Sequence, residues 1–91
     1  MTIDTAPTPN PNSVKLTPSA GSLLSDHPML AIKTAADAQG HALGEALIGL
    51  DGVIDVFMTP GFVTLTKADD ASWDGVLDTA RSLIREHVEG V

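Results

Sequence analysis

Between Val53 and Lys67, apolar and polar side chains alternate in two runs, Val-Ile-Asp-Val-Phe-Met and Phe-Val-Thr-Leu-Thr-Lys, separated by Thr59-Pro60-Gly61. A period of two places successive side chains on opposite faces of a strand. Pro-Gly is turn chemistry: proline presets φ at the first central position, and glycine accepts the positive φ that a type II turn needs at the second. The pattern predicts a β-hairpin. Ile54, Val56, Met58, Val63 and Leu65 fall on one face, and Asp55, Phe57, Phe62, Thr64 and Thr66 on the other.

The same reading extends over the rest of the chain. Ser13–Thr17 alternates, with Val14 and Leu16 on one face, and predicts a strand. Pro18 to Pro28 is punctuated by Ser, Gly and Pro and reads as a loop, with Leu23 and Leu24 as its candidates for the core. Leu30–Lys33 fits a short strand, although Ala31, Ala35 and Ala36 are also compatible with a helix. Leu43, Ala46, Leu47 and Leu50 recur at i, i+3, i+4 and i+7, predicting a first helix over His41–Ile48. Gly49 stands where a left-handed C-terminal cap belongs. Gly44, costly inside a helix by about 1 kcal/mol relative to alanine, implies a close approach to the sheet. Asp51-Gly52 turns the chain into the hairpin.

A second helix is predicted over Trp73–Val88, N-capped by Ser72 with Asp74 in its first turn. Trp73, Val76, Leu77, Ala80, Leu83, Ile84 and Val88 form its apolar stripe. Asp78, Arg81, Ser82, Arg85 and Glu86 form its polar side, with Asp78 and Arg81 spaced to pair for about 0.3 kcal/mol. Residues 1–12 hold three of the six prolines and read as an extended arm, with a short edge strand compatible at Thr2–Ala6. Asn10 and Asn12 are placed to close Asx-type turns ahead of the next strand. Two amphipathic helices need a common apolar surface, and the hairpin's Ile54–Leu65 face, extended by Val14 and Leu16, offers one. The expected fold is therefore α+β: a two-layer sandwich with a mixed or antiparallel sheet of about four strands and two helices on one face. The 91 residues are read as a single domain, 1–91.

Composition narrows the functions open to such a fold. Twelve acidic against five basic side chains give a net charge of −7, which argues against nucleic acid, where Lys and Arg must neutralise phosphate, and against anionic membranes. The chain has no cysteine, so it supplies neither a disulfide nor a thiolate for zinc or an iron–sulfur cluster. No apolar run is long enough to span a bilayer, and no basic segment leads into an apolar one at the start. A cytoplasmic protein is the expectation.

Candidate chemistry is sparse. His27, His41 and His87 lie in different segments without a metal-binding spacing. Asp69, Asp70 and Asp74 cluster around the start of the second helix, where capping and dipole complementarity account for them, and their spacing is not that of an EF-hand. No glycine-rich phosphate loop and no nucleophile with a partner base is present. Catalytic, cofactor-binding and metal residues are all expected to be absent. Phe57 and Phe62 remain. On the alternation they share the face away from the helices, where they either pack on each other across the hairpin or form an exposed aromatic pair that marks a partner surface.

Several stretches, in order, resemble a known family. Thr8-Pro9-Asn10-Pro11-Asn12 followed by Val14-Lys15 resembles the opening of the N-terminal domain of Nfu/NifU-like iron–sulfur cluster scaffold proteins. Ala46-Leu47, then Leu50-Asp51-Gly52-Val53-x-x-Val56-Phe57, is similar to that family's leucine-rich helix running into its Gly-Val-x-x-Val-Phe strand. Phe62–Lys67 and Ala71-Ser72-Trp73 are similar as well, so that the resemblance covers essentially residues 8–88. It implies a sandwich of four or so strands and two helices, with Pro9, Asn10, Pro11, Asn12, Gly52, Val53 and Trp73 as motif positions. In that family a separate Cys-x-x-Cys domain holds the cluster, which this cysteine-free chain does not match. The resemblance thus implies a non-enzymatic accessory or docking domain in iron–sulfur cluster assembly, with a protein partner and without a cofactor. The alternative is a small-ligand or metal-binding ferredoxin-like module. That fold normally closes with a strand after its second helix, and only Glu89-Gly90-Val91 follow here.

Overall fold

The computed structural model of the chain describes residues 2–24 and 28–90; of the residues singled out above, His27 lies outside them. The elements are β1 (Ile3–Pro7), β2 (Ser13–Pro18), β3 (Leu30–Ile32), a 3₁₀ turn (Ala35–Ala38), α1 (Ala42–Ile48), β4 (Val53–Met58), β5 (Val63–Lys67) and α2 (Val76–Glu89). Every strand pair is antiparallel, and the order across the sheet is β1-β2-β5-β4-β3. The expected α+β sandwich is the observed fold, with five strands rather than about four. The fifth is the proline-rich start, where Ile3–Pro7 pairs with Val14–Pro18 as an edge strand. Edges accept proline because the outward N–H is not needed by the sheet. No helix of the described residues is long and apolar enough to cross a membrane.

One side of the sheet carries the core. Leu16, Ile32, Val56, Met58, Val63 and Leu65 from the strands meet Leu43 and Leu47 of α1 and Ala80 and Ile84 of α2, all buried. Leu23 and Leu24 close the layer from the β2–β3 loop, as their apolar character indicates, and Leu23 N–H donates to the carbonyl of Pro60 at 3.0 Å. Gly44 is where a helix must come close. A Cβ there would lie 2.7 Å from Ile32 Cδ1, so glycine lets α1 settle onto β3.

Four local expectations are corrected. Ile54 does not join Val56 and Met58 in the core but is 53% exposed. On β4 the step from Val53 to Asp55 faces the single step from Lys67 to Thr66 on β5, so Ile54 is the extra residue of a bulge, which inverts the alternation and lets Val53 point inward instead. The hairpin turn is not a type II turn, because Gly61 lacks a positive φ. The hydroxyl of Thr59 closes it, accepting the N–H groups of Gly61 and Phe62 at 3.2 and 3.1 Å. Gly49 is right-handed at the end of α1 (φ −80°), and the left-handed residue is Gly52 (φ +84°), three positions later. Helix α2 begins at Val76, not Trp73, because Gly75 at φ +76° breaks the helical dihedrals. Ser72 therefore caps only the preceding turn, its Oγ accepting the Asp74 N–H at 3.0 Å. On the outer side of α2 the expected pair forms, Arg81 to Asp78 at 2.6 Å, and Arg81 also donates to Thr5 Oγ1 of β1 at 2.9 Å.

Candidate functional site

The sheet face away from the helices is built from the residues that the strands leave over after filling the core. The registers place Lys15 opposite Thr64, Thr64 opposite Phe57 and Phe57 opposite Ala31, a single row across β2, β5, β4 and β3. Phe62, immediately before β5, lies beside that row. Its ring centroid is 6.3 Å from that of Phe57, with the planes tilted by 47°, a spacing and inclination favourable to aromatic pairs. The ammonium of Lys15 sits 4.4 Å from the Phe62 centroid, a cation–π contact. Both phenylalanines are half-buried, while Lys15 and Ala31 are exposed. The two readings of Phe57 and Phe62 are thus compatible: the rings touch each other and still present a surface. Sequence alone does not bring Lys15 into this patch. Its alternation puts it on the correct face, but only the β2–β5 pairing brings it over Phe62.

A second convergence involves two histidines. His41 is the N-cap of α1, with Nδ1 accepting the Gly44 N–H at 3.1 Å. The ring proton of neutral His41 therefore lies on Nε2, which donates to the carbonyl of Leu23 at 3.1 Å. His87, on the last turn of α2, places its Nε2 3.1 Å from the same oxygen, and the two rings are 5.0 Å apart. One carbonyl of the β2–β3 loop thus ties together the start of one helix and the end of the other. The two Nε2 atoms converge as metal ligands do, but a metal on His41 Nε2 would force the proton onto Nδ1, against the N–H it now accepts. No group of three His, Cys, Asp or Glu among the described residues is arranged to hold a metal. Sequence spacing gives no hint of this meeting, since Leu23 contributes only its backbone. Beside it, α1 and α2 enclose a shallow groove of about 220 Å³ lined by Ala42, Leu43, Ala46, Leu83, Glu86 and His87.

The motif positions lie at the end of the sheet remote from the hairpin turn and act as fasteners. Pro9, Asn10, Pro11 and Asn12 form the β1–β2 connection, where Asn10 Oδ1 accepts the Asn12 N–H at 2.9 Å, the expected Asx turn. Asn12 reaches across to β5: its Oδ1 accepts Lys67 Nζ at 3.0 Å, its carbonyl accepts the Lys67 N–H at 2.9 Å, and its amide donates to Asp69. Gly52 accepts the Ala68 N–H at 2.8 Å, and Val53 is buried behind it. Trp73 packs on the core edge with its carbonyl accepting the N–H groups of Val76 and Leu77, and its indole Nε1 is buried without a hydrogen-bond partner. Of the acids at this end, Asp69 is engaged with Asn12, and Asp74 contributes its N–H to the turn at Ser72. Asp37 stands before α1. The backbone N–H groups of Lys33 and Thr34 donate to it and hold its pKa below the ordinary value.

Comparison with known proteins agrees with this arrangement. Residues 3–90 match the family described as scaffold protein Nfu/NifU N terminal. The chain is 36% identical over 74 residues to NifU-like protein 5, mitochondrial, of Arabidopsis thaliana, covering 81% of this chain and 26% of the relative. It is 37% identical over 70 residues to the human NFU1 iron-sulfur cluster scaffold homolog, mitochondrial, covering 77% and 27%. The chain therefore spans about a quarter of the length of these curated relatives. Among solved structures, it superposes on a NifU-like protein from Saccharomyces cerevisiae with a TM-score of 0.82 at 20% identity, over 99% of this chain and 80% of that one. It superposes on protein SAV1430 of Staphylococcus aureus with a TM-score of 0.72 at 26% identity, over 91% and 98%. On this sequence match, and with the fold that the solved structures share, this chain belongs to the family described as scaffold protein Nfu/NifU N terminal.

Proposed function

We propose that this chain is a non-enzymatic protein-interaction domain of iron–sulfur cluster assembly that does not itself hold the cluster, and that Phe57 and Phe62 are the centre of its docking surface. The observation that carries the reading is the half-buried aromatic pair on the one sheet face left without a helix. Large apolar rings kept partly in water at the middle of a sheet are the usual mark of a partner surface. Membership of the Nfu/NifU family supports the cluster-assembly setting, and the lack of cysteine supports a role beside the cluster rather than around it. The surplus of acidic side chains supports a protein partner over nucleic acid. A cytoplasmic location is part of the proposal; the plant and human relatives are named as mitochondrial.

The test is a pull-down from the source cells at low salt with the wild-type chain and with Phe57→Ser/Phe62→Ser. Recovery of cluster-assembly or client proteins by the first and not the second is the expected result. Equal recovery by both removes the aromatic pair from the docking surface, and recovery of no such protein by either removes the function.

A further inference from the structure

We propose that the free edge of β1 is a second docking surface: it adds an extended segment of a protein partner as a further antiparallel strand, and Arg81 selects a segment with a carboxylate opposite Thr5. β1 is paired on one side only, with β2. The Ser19 N–H donates to the Thr2 carbonyl at 2.8 Å, so Thr2 turns its backbone groups towards β2. That direction alternates along an antiparallel strand. Asp4 and Ala6 therefore bond inwards, and Ile3 and Thr5 turn their N–H and C=O groups outwards. Pro7 shares the outward direction but offers a carbonyl alone. Among the described residues nothing accepts the Ile3 or Thr5 N–H. The opposite edge is different. The Thr59 N–H donates to the Phe62 carbonyl at 2.8 Å, which by the same alternation turns Met58 and Val56 towards β3, and Ala31 and Lys33 outwards. There Asp37 Oδ2 takes the Lys33 N–H at 3.0 Å. The three-residue β3 is thus capped by its own chain, and β1 is the edge left open.

The charge at that edge decides the occupant. Thr5 lies opposite the buried Leu16, on the helix side of the sheet, and Arg81 of α2 donates to its Oγ1 at 2.9 Å. Asp4 and Ala6 stand on the other face. Residues directly opposite each other in an antiparallel pair share a face. The residue of an added strand that exchanges both backbone bonds with Thr5 therefore brings its side chain beside the Arg81 guanidinium. Arg81 also holds Asp78 at 2.6 Å. A guanidinium carries five N–H donors in a planar fork, and these two contacts use two of them, so it can bridge a second carboxylate. Two residues to either side, the added strand meets Ile3 and Pro7 on the same face, where apolar side chains fit. The segment recognised is thus apolar, any, acidic, any, apolar. Strand addition of this kind takes its affinity from the backbone and its specificity from alternate side chains. The contact is short, because Pro7 supplies no donor at its end.

NMR titration of the isotope-labelled intact chain tests this. The probe is a short peptide with aspartate at its centre and threonine, valine and threonine on each side; the comparison peptide has lysine at the centre. The aspartate peptide is expected to shift the Ile3 and Thr5 amides saturably and to slow their hydrogen exchange, with a Kd of about 1 mM or tighter. The lysine peptide is expected to bind about fivefold more weakly or worse, and Arg81→Glu to reverse that order. Thr5→Pro removes an N–H that β2 does not use, so it is expected to keep the fold and to weaken binding by about tenfold or more. Should Thr5→Pro unfold, Arg81→Glu with the two peptides decides alone. Phe57→Ser/Phe62→Ser is expected to bind the aspartate peptide like the wild type, so the edge stands or falls apart from the aromatic face. Amides of Ile3 and Thr5 that neither peptide moves, equal binding of the two peptides by the wild type, an order that Arg81→Glu leaves unchanged, or full binding by a folded Thr5→Pro overturns the proposal.

Discussion

Asn12 and Lys67 are joined twice, once through the backbone, where the Lys67 N–H donates to the Asn12 carbonyl at 2.9 Å, and once through the side chains, where Lys67 Nζ donates to Asn12 Oδ1 at 3.0 Å. Asn12 is thus a clasp between the start of β2 and the end of β5. It sits at the end of the sheet away from Phe57 and Phe62.

A residue that fastens rather than binds should affect stability alone. Asn12→Ala removes the side-chain bonds to Lys67 and Asp69 and keeps the backbone N–H that Asn10 accepts, at a cost of about 1–2 kcal/mol. Urea denaturation should show a lower midpoint with an unchanged slope, and the folded variant should recover the same proteins as the wild type in a pull-down. Loss of partners without loss of stability would give Asn12 a role in binding.

Gly52 and Gly61 make a controlled pair. Gly52 has φ +84°, and a Cβ there would stand 2.7 Å from the Cβ of Ala71, whereas nothing lies within 4 Å of a Cβ at Gly61, whose φ is not positive. Gly52→Ala should therefore destabilise by about 1–3 kcal/mol, and Gly61→Ala should change stability by less than about 0.5 kcal/mol. Thermal melts of the two variants decide the comparison.

Asp37 gives the acid side of the stability curve. Its folded-state pKa is lowered, first by the backbone N–H of Lys33 and then by that of Thr34. A depressed carboxyl contributes stability that is fully present above its unfolded pKa, close to the ordinary 3.8, and is lost as pH falls through the folded value. The side chain is open to solvent, so the contribution is small. Following its carboxyl carbon by NMR should give a midpoint below that of an unstructured peptide. Asp37→Asn should make the protein's stability slightly less dependent on pH below about 4 while leaving the neutral range nearly unchanged.

Much of this architecture was legible in the chain because local and tertiary demands agree. Val56, Met58, Val63 and Leu65 alternate and are buried together; Ala80 and Ile84 hold the middle of the α2 stripe; Gly44 signals contact with Ile32. What failed was set by single residues whose effect on phase is not visible in composition. Ile54 looks like a core residue until a bulge displaces it, and Ser72 looks like a helix cap until Gly75 resets the backbone. Of the candidate surface, the facing of Phe57 and Phe62 was readable from the period of two, while the arrival of Lys15 over Phe62 depended on which strand lies beside β5. The meeting of His41 and His87 at Leu23 was not readable, because a backbone carbonyl from a loop brings them together.

The central claim is that one face of this sheet holds the fold together and the other is free for a partner. Chemical denaturation of Phe57→Ser/Phe62→Ser beside Leu65→Ala tests it most directly. Leu65 is fully buried, and its truncation should cost about 2–5 kcal/mol. If the helix-free face is a docking surface, the double variant should unfold cooperatively and lose less than Leu65→Ala alone. A double variant that loses more than Leu65→Ala, or that no longer folds, would make Phe57 and Phe62 part of the core and contradict the account.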